Sequence, residues 1–366
     1  MDTGQACPRD EALACALVDT AGGAFQSFAA LAERQPGRYG DKPFLTWYDD
    51  ARGQRVELSY RTFDNWVAKV ANLLVDELGA GPGDRVATVL ADHWQTAVVL
   101  AACWRAGAGV VAVDPDAGAA ALAEALGGGV AAAFVREERV AEAASVLAAG
   151  VALVALTADL AGRGAHDLGA ALNFARVVPS MGDLFHAAAD PEGEALRVAP
   201  PGGAPERHGD PGGRAAAGVA AGGSPGGRAA APSGGGAATM GDLLAEAARL
   251  AGGTGLHDRD RVLSGLPLLT PVGAATGLLA PFGSGAGVVL AAAFEPARFW
   301  RRVADERVTV AALSLAQAAA LLAAGPPPEE LDRSRLRVVT CPHEPFSEAL
   351  RAGFKDRLGV PTVPDV

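Results

Sequence analysis

Two stretches of the sequence carry residue types that do chemistry. Gly222-Gly223-Ser224-Pro225-Gly226-Gly227-Arg228 sets uncovered backbone amides beside a hydroxyl and a guanidinium, the ingredients of a phosphate cradle. Its candidate phosphate-binding residues are Gly223, Ser224, Gly226, Gly227 and Arg228. No lysine lies between Asp190 and Ala238, and the planar fork of Arg228 is not a like-for-like replacement for a phosphate-gripping ammonium. Glycine-rich sequence is also more often a flexible linker than an anion site. The second stretch, Cys341-Pro342-His343-Glu344-Pro345-Phe346, brings a thiol, an imidazole and a carboxylate together. Adjacent residues need not face one another, and no third group that would orient His343 is visible, so the spacing alone specifies no acid–base pair. Cys341, a thiol at a strand end without an activating neighbour, reads as a small buried hydrophobe.

These residues sit in a chain of 366 residues with 50% hydrophobic composition, long enough for two packed lobes. Lys plus Arg number 31 against 42 for Asp plus Glu, and the net charge of -11 repels phosphate backbones and anionic lipid, which argues against nucleic acid as a partner. The four cysteines are widely spaced, with no CxxC and no His at zinc-ligand spacing, so no metal site and no disulfide scaffold is expected. A reducing cytoplasm suits that pattern, and the N-terminal apolar stretch Ala14 to Val18 lacks the basic flank of a secretory signal. Val262 to Phe294 carries no charge, yet Pro267, Pro271, Pro281 and six glycines break it into pieces too short to span a bilayer as one helix. No membrane span is expected.

The elements that must position the chemistry alternate in type. Phe63, Trp66, Val67, Val70, Leu73 and Leu74 recur at helical spacing. Gly79 to Asp84 then turns the chain into a buried strand, Arg85 to Leu90, followed by a helix from Trp94 to Ala106 closed by Gly107. Strands at Gly109 to Val113, Val130 to Val135 and Val151 to Leu156, with a helix from Glu137 to Leu147, continue the pattern of a parallel sheet covered by helices. Between Asp190 and Ala238 the composition turns to Gly, Ala, Pro and Arg, too poor in large apolar residues for a packed core, and Pro-Gly-Gly-Arg-Ala-Ala-Ala occurs at 211–217 and again at 225–231. A second α/β unit follows. It has a helix at Leu243 to Leu250, a strand from Val262, a helix at Pro296 to Asp305 and a strand at Val308 to Leu313. A helix to Ala324, a strand at Leu336 to Thr340, a helix at Ser347 to Leu358 and an extended end complete it. The expected organisation is a tail at 1–24, a first α/β lobe at 25–189, a low-complexity loop at 190–238 and a second lobe at 239–366.

Trp104-Arg105-Ala106-Gly107-Ala108-Gly109-Val110-Val111-Ala112-Val113-Asp114 resembles the LKAG-x-x-YVPLD motif of adenylate-forming enzymes, the superfamily of acyl-CoA synthetases, luciferases and peptide-synthetase adenylation domains. Leu58-Ser59-Tyr60 is similar to its LTY motif, Gly81-Pro82-Gly83-Asp84-Arg85-Val86 to its GPGDRV turn, and Leu336 to Pro361 to its LRxxxSGGAPL segment and following GVP. Phe294-Glu295-Pro296 and Arg307-Val308-Thr309-Val310 resemble its FDP and KVTV segments. The likeness covers about residues 25–189 and 239–362, in the manner of short actinobacterial AMP-binding-like proteins without the C-terminal lid.

The resemblance implies the fold of the adenylate-forming N-terminal domain: two packed, mostly parallel sheets covered by helices. It also implies a reaction in which a carboxylic acid attacks the α-phosphate of ATP and the acyl group then passes to a thiol, with ATP or AMP and magnesium as cofactors. Where the family has its TSGTTGxPKG phosphate loop, this chain has Gly222 to Arg228. Where it has LPLFH, bordering the acyl pocket, this chain reads Leu266-Pro267-Leu268-Leu269-Thr270. Where SGGAPL lies against adenine, it reads Cys341-Pro342-His343-Glu344-Pro345-Phe346. Thr270, His343, Glu344 and Pro345 are therefore the candidate adenine and acyl pocket residues, with no residue assigned to catalysis or to metal. The family's magnesium-binding glutamate, ribose-binding aspartate and lid lysine have no counterpart before Val366. The expectation is a catalytically degenerate protein binding at most a nucleotide or acyl ligand between its lobes. Two alternatives stand beside it, a ligase completed by a partner chain supplying the lid, and a truncated gene product.

Overall fold

A computed structural model describes residues 28–148, 150–157, 167–186, 194–199, 237–342 and 344–362. Among them, thirteen strands form two sheets. The first runs in the order β13-β12-β10-β11-β1-β2 and the second β7-β6-β5-β3-β4-β8-β9. In the six-stranded sheet β1 is Pro43–Asp49, β2 Gln54–Ser59, β10 Arg261–Ser264, β11 Gly287–Ala291, β12 Val310–Ala312 and β13 Val338–Thr340. In the seven-stranded sheet β3 is Arg85–Val89, β4 Gly109–Ala112, β5 Ala132–Arg136, β6 Ala152–Leu156, β7 Leu172–Asn173, β8 Glu194–Val198 and β9 Ala237–Thr239. All pairings are parallel except β1 with β2 and β8 with β9.

Alternation along each strand builds a five-layer α/β/α/β/α stack. Val262, Val288, Val310 and Val338 of the first sheet share one core with Val86, Val110, Phe134 and Val154 of the second. Their chain neighbours Leu263, Val289, Ala311 and Val339 face the other way, onto the helices Pro296–Asp305 and Leu315–Ala324. Ala87, Val111, Ala133 and Ala155 do the same on the far side of the second sheet. Strands buried on both faces read as continuous apolar runs, and those runs are what the sequence shows. In the middle layer every residue of the helix Trp94–Ala106 is buried. Its last turn ends on Gly107 at φ 77°, a left-handed conformation that glycine adopts without strain.

The sequence motifs are mostly joints of this stack. Ser59 caps the helix Tyr60–Asn72, and the buried Tyr60 hydroxyl donates to the Ala286 carbonyl at 2.8 Å, just before β11. Asp84 accepts from the Gly81 amide at 2.9 Å, closing the turn before β3. The Trp104 indole donates to the Ala195 carbonyl at 2.9 Å, and a side chain at Gly109 would meet the Glu194 carbonyl at 2.6 Å, so both residues seat β8 against β4. Arg105 pairs with Asp64 at 2.5 Å and donates to the Phe185 carbonyl at 3.2 Å.

Two expectations are amended. Within the stretch read as a loop at 190–238, β8 and β9 occupy described residues near its two ends, where Leu196 pairs with Val110 on one side and Ala238 on the other. The sheets also interleave along the chain: β1 and β2, from the N-terminal part, complete the sheet of β10 to β13. The uncharged stretch Val262 to Phe294 resolves into β10, the helical run Pro271–Ala274, Ala275–Leu279 and Ala280–Ser284, and β11. No described helix is long and apolar enough to cross a membrane.

Candidate functional site

In an open parallel sheet, ligands bind outside the carboxyl ends of the strands where the strand order reverses. In the six-stranded sheet the chain leaves β10 toward β11 on one side, while β12 and β13 lie on the other, so the reversal falls between β10 and β12. In the seven-stranded sheet it falls between β3 and β5. The exits of β10 and β3 are tied together. The Leu268 amide, beyond β10, donates to Asp92 Oδ1 at 2.8 Å, and the Trp47 indole donates to the Asp92 carbonyl at 3.1 Å.

At the crevice between β10 and β12 stands Gln317. Its Nε2 donates to the Gly265 carbonyl at 2.6 Å and its Oε1 accepts from the Ser314 amide at 3.0 Å, while Ser314 Oγ accepts from the Gln317 amide at 3.2 Å. This capping box starts the helix Leu315–Ala324 and at the same time bridges the reversal point. Gln317 is buried, and a side chain at Gly265 would meet its Oε1 at 2.6 Å.

The loop after β10 is closed on itself. The Thr270 hydroxyl donates to the Pro267 carbonyl at 2.7 Å and accepts from the Gly273 amide at 3.1 Å, capping the helical turn Pro271–Ala274. Thr270 is buried, so both functions of its hydroxyl serve its own loop. At the β13 exit Cys341 is buried, the Pro342 carbonyl accepts from Arg249 at 2.8 Å, and Glu344 and Pro345 are exposed. Thr270 and Glu344 lie on the loops that follow β10 and β13, strands two places apart in the sheet. Both loops leave the same edge of the sheet, and no hydrogen bond joins the two residues. Gly223, Ser224, Gly226, Gly227, Arg228 and His343 lie outside the described residues. The strands that bracket the glycine-rich stretch, β8 and β9, are antiparallel neighbours.

Sequence reasoning passed over three residues at these exits: Asp92, His93 and Gln317. His93 caps the helix Trp94–Ala106 by accepting from the Gln95 amide at 3.1 Å, with its ring 4.1 Å from that of Trp47. Burial pushes its pKa down to about 4, against a smaller opposing pull from Asp49, so the ring is neutral at physiological pH. The available signal was position: polar residues immediately after a buried strand at a sheet's reversal. Among the described residues, no group of three or more His, Cys, Asp or Glu is placed to hold a metal ion.

Known proteins share this architecture. A family described as AMP-binding enzyme matches residues 32–179 and 237–364. A TIGR03089 family protein from Mycobacterium tuberculosis is 35% identical over 271 residues, 73% of this chain and 90% of that protein. The acyl-CoA synthetase of Brucella canis superposes with a TM-score of 0.73 at 19% identity, over 97% of this chain and 60% of its own. A benzoate CoA ligase from Burkholderia xenovorans LB400 gives 0.67 at 19% identity, over 92% and 60% respectively. This chain thus spans about three-fifths of the length of those solved relatives. With its matched segments falling on both sheets and breaking at the glycine-rich stretch, the chain belongs to the AMP-binding enzyme family.

Proposed function

We propose that this chain is a cytoplasmic binding module of the adenylate-forming fold, holding a nucleotide or acyl ligand between its sheets with low affinity and activating no acid by itself. The observation that carries this reading is the Gln317 bridge. Its amide takes up the Gly265 carbonyl and the Ser314 amide at the β10–β12 reversal, where a ligand would need them. The Thr270 hydroxyl, at the position bordering the family's acyl pocket, is likewise engaged by Pro267 and Gly273. Catalysis of acyl transfer rests on donors and charges aimed at the developing charge of the transition state, and groups bonded within their own loops are not so aimed.

A second reading is an ATP-dependent acid–thiol ligase completed by a partner chain. What supports it is the fold shared with the acyl-CoA synthetase of Brucella canis, of whose length this chain spans 60%. ATP–pyrophosphate exchange over a panel of carboxylic acids, with calorimetric titration of AMP, separates the two. The binding-module reading expects weak AMP binding and no exchange; robust exchange by the isolated chain overturns it, and exchange that appears only on adding a lid-bearing protein selects the second reading.

A further inference from the structure

Apart from the cleft, the molecule carries a depression of about 310 Å³ lined by Asp50, Glu295, Ala297, Arg298, Arg301 and Arg302. It sits where the turn between β1 and β2 meets the start of the helix Pro296–Asp305. Arg298, Arg301 and Arg302 follow one another at helical i, i+3 and i+4 spacing, so all three guanidiniums rise from one face. Asp50 pairs with Arg298 at 3.1 Å and also with Arg302, and Glu295 pairs with Arg298 at 2.7 Å. Three cations against two carboxylates leave a positive excess in a chain whose net charge is -11.

That excess has donors to offer. Arg301 is exposed and makes no hydrogen bond or ion pair with any described residue. Arg302 is 9% exposed, lies over the Tyr48 ring at 3.5 Å, and its Nε is buried without a hydrogen-bond partner. That Nε has no exposed surface and Nη2 of Arg302 already serves Asp50, so Arg302 gives the wall of the depression its charge while the free donors are those of Arg301. The helix start adds to this. Glu295, its N-cap, makes no side-chain capping bond, which leaves the first-turn amides at Ala297 and Arg298 open at the positive end of the helix dipole.

We propose that this depression is a binding site for a phosphate group, held by the guanidinium donors of Arg301, the charge of Arg302 behind them and the uncapped start of the helix Pro296–Asp305. The volume suits a free phosphate or a small phosphate ester rather than an extended polyanion. This site is independent of the cleft, so its failure leaves the reading of the cleft untouched.

The test is calorimetric titration of the full chain with inorganic phosphate and separately with AMP, using wild type, Arg301→Ala and, as a control, Arg335→Ala, an exposed arginine on the loop before β13. Arg301 is exposed, so its replacement leaves the fold intact. Saturable phosphate binding that weakens at least tenfold in Arg301→Ala and stays unchanged in Arg335→Ala is expected. Phosphate binding within twofold of wild type in Arg301→Ala, equal weakening in both variants, or no saturable binding overturns the proposal. Because AMP is also expected in the cleft, the AMP arm is read by the number of sites: one AMP site fewer in Arg301→Ala than in wild type extends the depression to phosphate esters, and the same number in both, with phosphate lost, confines it to the free ion.

Discussion

Gln317 and Gly265, 52 residues apart in the chain, are joined by a 2.6 Å hydrogen bond from the glutamine amide to the glycine carbonyl. That bond closes the crevice at the carboxyl ends of β10 and β12, and the same side chain caps the helix that follows β12. Replacing Gln317 with alanine strands the Gly265 carbonyl and the Ser314 amide. The expected loss is about 2 kcal/mol in urea denaturation, the usual penalty for orphaned buried polar groups. If the bridge also keeps ligand out, AMP affinity in Gln317→Ala rises by about tenfold, the worth of one to two hydrogen bonds; unchanged affinity would detach the bridge from ligand exclusion.

Gly273 is required by its neighbours. A side chain there would stand 1.8 Å from the Pro267 carbonyl and 2.8 Å from the Thr270 hydroxyl. Gly273→Ala is expected to destabilise by about 3 kcal/mol, since backbone cannot yield as a side chain does. Gly252, within the helix Met240–Thr254, has nothing within 4 Å, so Gly252→Ala should instead stabilise by about 0.5–1 kcal/mol. Opposite signs in thermal unfolding check both expectations.

The neutral, buried His93 predicts a pH dependence. Its folded pKa of about 4 lies below the unfolded value near 6.5, so the unfolded chain binds the proton first as pH falls. The stability it confers is whole above pH ~6.5 and is lost progressively down to pH ~4, an amount of at most about 3 kcal/mol. In His93→Asn, whose amide oxygen keeps the helix cap, urea denaturation between pH 7 and pH 4 should show a shallower decline than wild type. Parallel declines would remove His93 as the source.

Arg105 and Asp64 form a pair on the inner layer, with side chains 8% and 18% exposed. Burial raises the Asp64 pKa and Arg105 opposes that rise. Arg105→Met leaves a partly buried carboxylate without its cation, and a loss of about 3 kcal/mol is expected. The double variant Arg105→Met with Asp64→Leu should recover most of it, because the unpaired charge is then gone. Failure of the second change to restore stability would mean that the bond from Arg105 to the Phe185 carbonyl carries the effect.

The sequence by itself determined the local elements and the family. The helix Trp94–Ala106 is read at its observed ends because Gly107 stops it, and the helix Pro296–Asp305 because Pro296 starts it. Those signals act within a few residues, through backbone geometry and apolar spacing. Asp84, Trp104, Arg105 and Gly109 were legible as motif members, although their tasks as joints were not. What only the tertiary structure decided is which distant segments meet. Leu45 pairs with Val288, and Asp92 accepts from Leu268, across separations that periodicity cannot encode. The same holds at the candidate site. Gln317 looks like any capping residue until β10 is laid beside β12. Thr270 bears a hydroxyl suited to a pocket until its own loop folds back and takes both its hydrogen bonds. Residue type sets what a group can do; its neighbours in space set whether it is left free to do it.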